Sequence, residues 1–214
     1  SYVRTFSKKG LERIFETCGE KDYHFYYPYP DYKFMTTIFS DKRLPMMGEL
    51  SNNYRNYDRD RLLLFDEKNV FDALIEDEMF PLYSNSYMVV IGEDTKVAYS
   101  KYSNDRSLHK AIKTEVVIRD GVKKLRKWAS SEYSAEHIRN IYTYYQKLSK
   151  RYEGSKLEIN KCKLVDGTIP YVELEYIEGI TLAEILDDYL KKGDIDSFKE
   201  LFQEYVTRIS LRTL

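Results

Sequence analysis

Apolar residues recur at three-then-four spacing in several stretches of the chain, and this spacing predicts helices that each bury one face. Two stretches also begin with N-cap chemistry: Ser7 precedes the first, and Thr181 with Glu184 forms a capping box before a later one. The predicted helices cover residues 7–19, 70–80, 134–152, a stretch that starts at Thr181, and 194–209.

Shorter apolar and aromatic runs predict strands between these helices. The clearest signal is Asp120-Gly121, which lies between VVIR and VKKLRKW and is a dipeptide that type I′ hairpin turns favour. The predicted strands cover residues 23–29, 86–91, 97–102, both arms of the hairpin within 114–128, 157–163 and 171–177. Residues 40–60 are polar and turn-rich, which predicts a long surface loop.

The charge of the whole chain argues against a nucleic-acid partner. Its 34 Lys and Arg residues against 35 Asp and Glu residues leave a formal charge of −1, which gives no field that attracts phosphate backbones or anionic lipid. The 21 tyrosines are spread along the chain and do not alternate with a basic stripe, so packing is their favoured role. We therefore expect no nucleic-acid partner.

The sequence carries no sign of membrane insertion or secretion. No apolar stretch is long enough to cross a bilayer, and the N-terminal residues lack the pattern of a signal peptide. The two cysteines, Cys18 and Cys162, lie far apart in the sequence, which suits a reducing compartment, and we expect both to be small core residues. A cytoplasmic protein with no membrane span is predicted.

Common catalytic and cofactor motifs are missing from the sequence. The 9 glycines never fall as G-x-G, so neither the dinucleotide fingerprint nor the phosphate-binding P-loop is present. His24, His109 and His137 have no Cys or His neighbour at ligand spacing, and no G-x-S-x-G elbow occurs. We assign no metal ligand and no catalytic residue.

The second half of the chain contains a hairpin, a helix, two strands and further helices, which is the order of a kinase N-terminal lobe. Strand alternation predicts that one face of the second hairpin strand carries Leu125, Lys127 and Ala129. The other face carries Lys124, Arg126 and Trp128. Lys127, on the more apolar face, suits a cation that reaches nucleotide phosphates, with Leu125 under the base and Glu136 orienting the lysine. The alternative is that Lys127 extends from a half-buried strand to solvent, while Glu136 complements the helix dipole.

The segment YVELEYIEGITLAEIL adds a strand, a glycine at Gly179 and a capped helix, which is how an adenine-binding hinge is built. Residues 122–209 resemble the N-lobe and hinge of kinase-like phosphotransferases of the aminoglycoside, choline and lipopolysaccharide kinase type. The resemblance implies a nucleotide site whose residues are Lys127, Glu136, Leu125, Glu175, Tyr176 and Ile177. No H-x-D or D-F-G-like motif follows, so we expect weak ATP binding and no phosphoryl transfer by this chain.

The first part of the chain, residues 2–91, contains a helix, the aromatic strand YYPYPDYK, a long insertion and a final strand SNSYMVVI. It resembles the C-terminal end of a class I S-adenosylmethionine-dependent methyltransferase domain. The resemblance implies S-adenosylmethionine chemistry only in a longer parent, because the glycine-rich cofactor loop of such a domain belongs to its first strand. Tyr27 and Asp31 are candidates for an acceptor pocket, although a rigid strand end with Pro28 and Pro30 explains this segment equally well.

Together these patterns predict an α/β fold with two parts. Residues 1–92 form a partial methyltransferase-like layer. Residues 93–214 form an α+β part with an antiparallel five-stranded sheet, one packed helix and a helical tail. The boundary is placed near Gly92. The favoured function is a non-autonomous segment of a bacterial methyltransferase and kinase-like transferase in cell-surface glycan synthesis. Its expected partners are the missing parts of the parent enzyme and possible further copies of the chain, and the alternative is a non-catalytic scaffold or interaction module.

Overall fold

The computed structural model describes residues 5–50, 67–103, 106–155 and 157–210. The chain forms two compact units, Ser1–Tyr176 and Ile177–Leu214. This division differs from the predicted boundary near Gly92, because strands on the two sides of Gly92 pair with each other in the same sheet. The first unit therefore contains strands of both predicted parts.

The first unit is built on one antiparallel sheet of 8 strands. In chain order the strands are β1 Tyr23–Tyr29, β2 Thr37–Ser40, β3 Met88–Ile91, β4 Val97–Tyr102, β5 Ile112–Arg119, β6 Val122–Ala129, β7 Cys162–Val165 and β8 Tyr171–Glu175. Across the sheet their order is β3-β1-β2-β4-β5-β6-β8-β7. The mixed helix and strand content agrees with the prediction, and the antiparallel pairing throughout makes the arrangement α+β.

The helices lie close to the positions that the apolar spacing predicts. They are α1 Lys8–Thr17, α2 Glu67–Glu76, α3 Phe80–Tyr83, α4 Ala135–Arg151, α5 Leu182–Lys192 and α6 Ile195–Tyr205. The predicted caps are confirmed: the Ser7 hydroxyl accepts a hydrogen bond from the Gly10 amide at 3.1 Å, and Thr181 and Glu184 form the capping box of α5. Within the described residues, no helix is both long and apolar enough to span a membrane.

The hairpin of β5 and β6 is the best-defined pairing in the sheet, with eight residue pairs that run from Ile112 and Ala129 to Arg119 and Val122. Asp120 and Gly121 both have positive φ, 52° and 76°, as a type I′ turn requires. This register confirms the predicted alternation, because Leu125 pairs with Val116 while its sequence neighbour Lys124 faces the other side of the sheet.

The helices of the first unit that the structure describes all pack on the same face of the sheet, which we call the helix face. An aromatic cluster lies under α1, α2 and α3; its buried members are Phe25, Tyr27, Tyr29, Phe39, Leu50, Phe71, Phe80, Tyr99 and Val116. A smaller cluster lies under α4, with buried members Ile112, Ala129, Ile138 and Val172. Most of the buried apolar core of the chain is therefore on this face.

Three local expectations need correction. Cys18 is exposed at the C-cap of α1 and is no core residue, because the apolar stripe of this short helix passes through Leu11 and Phe15. The strand predicted at 86–91 begins two residues later, at Met88, and among the described residues it pairs only with β1, at the edge of the sheet. The predicted loop at 40–60 is described only to Leu50, which is itself buried in the aromatic cluster; the rest lies outside the described residues.

The hairpin turn gives a test of the register. Replacing Gly121 by Ala places a side chain at φ 76°, and we expect a loss of about 1–2 kcal/mol in the free energy of unfolding, measured with urea. The control is Gly179→Ala, since Gly179 has no left-handed φ and no heavy atom near the added Cβ. An equal effect of the two substitutions would contradict the strained-turn explanation.

Candidate functional site

Lys127 lies near the middle of β6, on the helix face of the sheet. It pairs with Thr114 on β5 and with Val172 on β8, and its side chain is half-buried. Val172 belongs to the buried cluster under α4, so the lysine leaves the sheet beside apolar side chains. Lys127 therefore has the environment that the strand alternation predicts.

The carboxylate expected to orient Lys127 is not found next to it. Glu136 is exposed on α4, and among the residues that the structure describes no carboxylate oxygen lies within 4.0 Å of the Lys127 Nζ atom. Ile138 occupies the fully buried position in this turn of α4, and each helical residue is rotated about 100° from the next. His137 is half-buried and the Lys127 charge acts on it, whereas Glu136 turns toward solvent.

The loop between β4 and β5 brings two more cations toward His137. Main-chain hydrogen bonds hold the end of this loop beside the start of α4: the Ser130 amide donates to the Ala111 carbonyl at 3.3 Å. The His109 ring nitrogen Nδ1 also donates to the Tyr133 carbonyl at 3.2 Å. The charges of Arg106, Lys110 and Lys127 all act on His137, and we call these four side chains the basic cluster.

The charges of the basic cluster affect the pKa of His137. Burial lowers the pKa of His137 from its ordinary 6.5, and the charges of Arg106, Lys110 and Lys127 lower it further. Within the described residues, none of these three cations forms an ion pair with a carboxylate. Lys127 also acts on Cys162, where burial raises the thiol pKa and the lysine charge opposes that rise. The cluster therefore holds positive charge that no described side chain balances.

Leu125 and Tyr176, the predicted contacts of an adenine base, both lie at the edge of the aromatic cluster. They are half-buried, and the Lys123 ammonium lies 5.4 Å from the centroid of the Tyr176 ring. The structure thus brings Leu125 and Tyr176 to the same cluster and to the same sheet face as Lys127.

The predicted hinge is partly occupied by contacts within the chain. The Glu175 amide donates to the Lys161 carbonyl at 3.3 Å, and the Asn160 side-chain amide donates to the Glu175 carbonyl at 2.8 Å. The Asn160 Oδ1 atom beside this contact is buried with no hydrogen-bond partner among the described residues. Ile177 belongs to the second unit and is exposed.

The predicted acceptor-pocket residues, Tyr27 and Asp31, both make contacts within the chain. Tyr27 has no exposed surface; its hydroxyl accepts a hydrogen bond from Lys8 Nζ at 2.8 Å and donates one to Asp41. Burial raises the pKa of Tyr27 far above its ordinary value, and the Asp41 carboxylate adds to the rise. Asp31 caps a turn, since its Oδ1 atom accepts from the amides of Lys33 at 2.7 Å and Phe34 at 2.9 Å.

The opposite face of the sheet carries a paired network of charges and rings. Arg126 donates from Nε to the Glu173 carboxylate at 2.9 Å and lies 5.2 Å from the Tyr171 ring centroid. The Tyr171 and Trp128 rings stack at 4.0 Å, and Lys113 lies 5.3 Å from the Trp128 ring. Each ring of this stack therefore has a cation close to it.

No group of His, Cys, Asp and Glu side chains in the described residues is arranged to hold a metal ion. No protein-family model matches the chain, and no curated protein or solved structure is similar to it at a significant level.

Sequence reasoning missed three members of the basic cluster, namely Arg106, Lys110 and His137. The only signal for the first two is the local basic composition of SNDRSLHK, which is equally typical of a solvated loop. His137 follows Glu136 directly, and a rotation of about 100° per residue from the buried Ile138 already places Glu136 away from the buried face.

The lowered pKa of His137 gives a prediction about stability. A histidine that binds its proton less well when folded destabilises the protein as the pH falls through 6.5, since the unfolded chain then takes up the proton first. We expect the free energy of unfolding to fall more steeply in the wild type than in His137→Gln over this range, measured by urea denaturation in a buffer without phosphate or sulfate. Parallel pH profiles would show that the cluster does not act on His137.

Proposed function

We propose that the first unit holds the nucleotide-binding part of a transferase, in which Lys127 binds a phosphate group of ATP. The observation that carries this proposal is the position of Lys127, a half-buried cation on the helix face with no carboxylate partner among the described residues. A buried charge without a partner is costly, so a site that keeps one is suited to an anionic ligand.

The base of the nucleotide would lie against Leu125 and Tyr176. Leu125 is two residues from Lys127 on the same strand and the same face, which separates the two side chains by about 7 Å. This spacing allows an apolar contact at one end of the ligand and a phosphate contact at the other. Because both main-chain groups of Glu175 already have partners, we expect base recognition to be weak and apolar.

The wider context is also a proposal. We infer a parent enzyme with methyltransferase-like and kinase-like parts that acts in bacterial cell-surface glycan synthesis, with S-adenosylmethionine bound only by the longer parent. The five neighbouring strands β4, β5, β6, β8 and β7 with α4 on one face support the kinase-like part. The methyltransferase-like part rests on the sequence resemblance of residues 2–91.

A second candidate function is a non-catalytic scaffold or interaction module, and the second unit favours it. Neither α5 nor α6 has a buried residue, although both helices carry apolar side chains at helical spacing. Their exposed apolar side chains include Leu190, Ile195, Phe202 and Tyr205. Uncovered apolar surface of this kind promotes association, here with another copy of the chain.

ATP titration followed by amide NMR tests the nucleotide site. We expect shifts near Leu125 and Tyr176 and a dissociation constant of order millimolar, about 4 kcal/mol of binding free energy. Lys127→Ala should weaken binding roughly tenfold, because it removes a charge-assisted hydrogen bond. The matched control is Lys124→Ala, which removes the same charge from the opposite sheet face. Equal weakening by both substitutions, or no shifts in the wild type, would leave the scaffold proposal in place.

Sedimentation analysis tests the association of the second unit. We expect the average mass to rise with protein concentration, and Phe202→Glu to reduce that rise because it puts a charge on the apolar surface of α6. Tyr144→Glu is the control, since Tyr144 is an exposed aromatic residue on α4. A monomer at all concentrations would count against self-association.

A further inference from the structure

We propose that the free edge of β3 pairs with β3 of a second copy of the chain, so that the two sheets join across a two-fold axis. The strand covers Met88–Ile91 and lies at one end of the sheet, where β1 is its only neighbour among the described strands. This edge belongs to the first unit, whereas α5 and α6 belong to the second. The inference therefore concerns a different surface from the association considered above, and it goes beyond the proposed function.

The first argument is the direction of the main-chain groups of β3. The Gly92 amide donates to the Asp22 carbonyl at 2.8 Å, and the pairing with β1 continues from there without a shift of register. In an antiparallel ladder, hydrogen-bonded pairs alternate with pairs that are not bonded. Val90 therefore bonds to β1, whereas the amide and carbonyl groups of Val89 and Ile91 point away from it. In the part of the chain that the structure describes, no main-chain hydrogen bond occupies these outward groups.

The second argument is a difference between the two edges of the sheet. At the other edge, β7 contains the exposed Lys163 and is preceded by the exposed Lys161. Lysines on an edge strand oppose the addition of another strand, because pairing would take their charges out of water. Residues 86–92 contain no charged side chain, and Met88 and Ile91 are 40% and 54% exposed. The edge of β3 therefore lacks the protection that the edge of β7 has.

The third argument is that β3 is complementary to itself. With Val90 on the two-fold axis, Val89 of one copy lies opposite Ile91 of the other, and the two residues exchange both of their outward main-chain hydrogen bonds. Val89 packs against the aromatic cluster, so this apolar pair forms on the helix face of both sheets. Met88 lies opposite Gly92 in the same register, and no charged side chain faces another within residues 88–92. A second copy therefore supplies the uncharged, extended strand that this edge requires.

The pairing ends at two copies. The two-fold axis uses the β3 edge of both chains, and the edges of β7 with their lysines remain at the two ends of the joined sheet. The strand has only four residues, and the contact is consequently smaller than a standard permanent interface. We expect a weak dimer that forms at high protein concentration, and no filament.

Amide hydrogen exchange of the full chain, followed by NMR at low and high protein concentration, tests the pairing. The measurement uses the variant Phe202→Glu, because this change weakens association through α6. We expect the amides of Val89 and Ile91 to exchange roughly tenfold more slowly at the high concentration, since a second copy accepts their hydrogen bonds. The amide of Val90 is the internal control, because it donates to β1 at both concentrations and its exchange should not change.

Sedimentation analysis of edge variants, made in the same Phe202→Glu background, locates the interface. Ile91→Lys gives this edge the kind of charge that β7 carries, and it should weaken dimerisation roughly tenfold because the two-fold repeats each lost pair. The matched control is Val122→Lys, since Val122 is exposed to nearly the same extent, 53% against 54%, but lies on β6 inside the sheet. Ile91→Pro removes an outward amide and should abolish dimerisation while the bonds to β1 remain. Urea denaturation shows whether each variant folds, and the exposed Ile91→Lys tests the edge even if the proline variant does not.

Several results would overturn the inference. One is exchange of the Val89 and Ile91 amides that is the same at both concentrations, even where the average mass rises, because the association would then lie outside β3. Another is equal weakening of dimerisation by Ile91→Lys and Val122→Lys. Species larger than a dimer in the Phe202→Glu background would contradict the two-fold pairing.

Discussion

The pairing of β5 with β6 fixes the direction of the side chains at the centre of the sheet. The turn at Asp120 and Gly121 sets its register, and a slip by one residue would carry Arg126 and Trp128 under α4 and turn Lys127 away from it. The same register decides which residues of β8 and β4 face the helices, since both neighbours pair directly with this hairpin. The direction of Lys127 therefore depends on one short turn.

On the face of the sheet opposite the described helices of the first unit, partly buried charges have partners within the chain. Arg126, although buried, has the Glu173 carboxylate as its partner and the Tyr171 ring beneath its guanidinium. Lys113 repeats this arrangement with Glu115 and Trp128. A partly buried ion pair contributes little net stability, but leaving either charge alone would be costly. These ion pairs and ring contacts allow charged side chains on this face to be partly buried.

Local features of this fold are readable from the sequence, because their causes lie within a few residues. The Asp120-Gly121 turn, the Ser7 cap and the capping box of Thr181 each depend on neighbours that the sequence shows directly. The joining of β2 to β4 across the predicted boundary is a pairing between distant residues, which no local pattern specifies. For the same reason the sequence points to Lys127 but not to the loop cations that act on His137.

The proposed role of Lys127 rests on a contrast between the two sides of β6. Arg126 and Lys127 are adjacent, and each is removed from full contact with solvent. The burial of Arg126 is explained by its partners, because the Glu173 carboxylate and the Tyr171 ring both contact its guanidinium. Lys127 lies beside an apolar cluster, acts against the protonation of a half-buried histidine, and has no carboxylate partner among the described residues. Under the proposed function, the ligand supplies that partner.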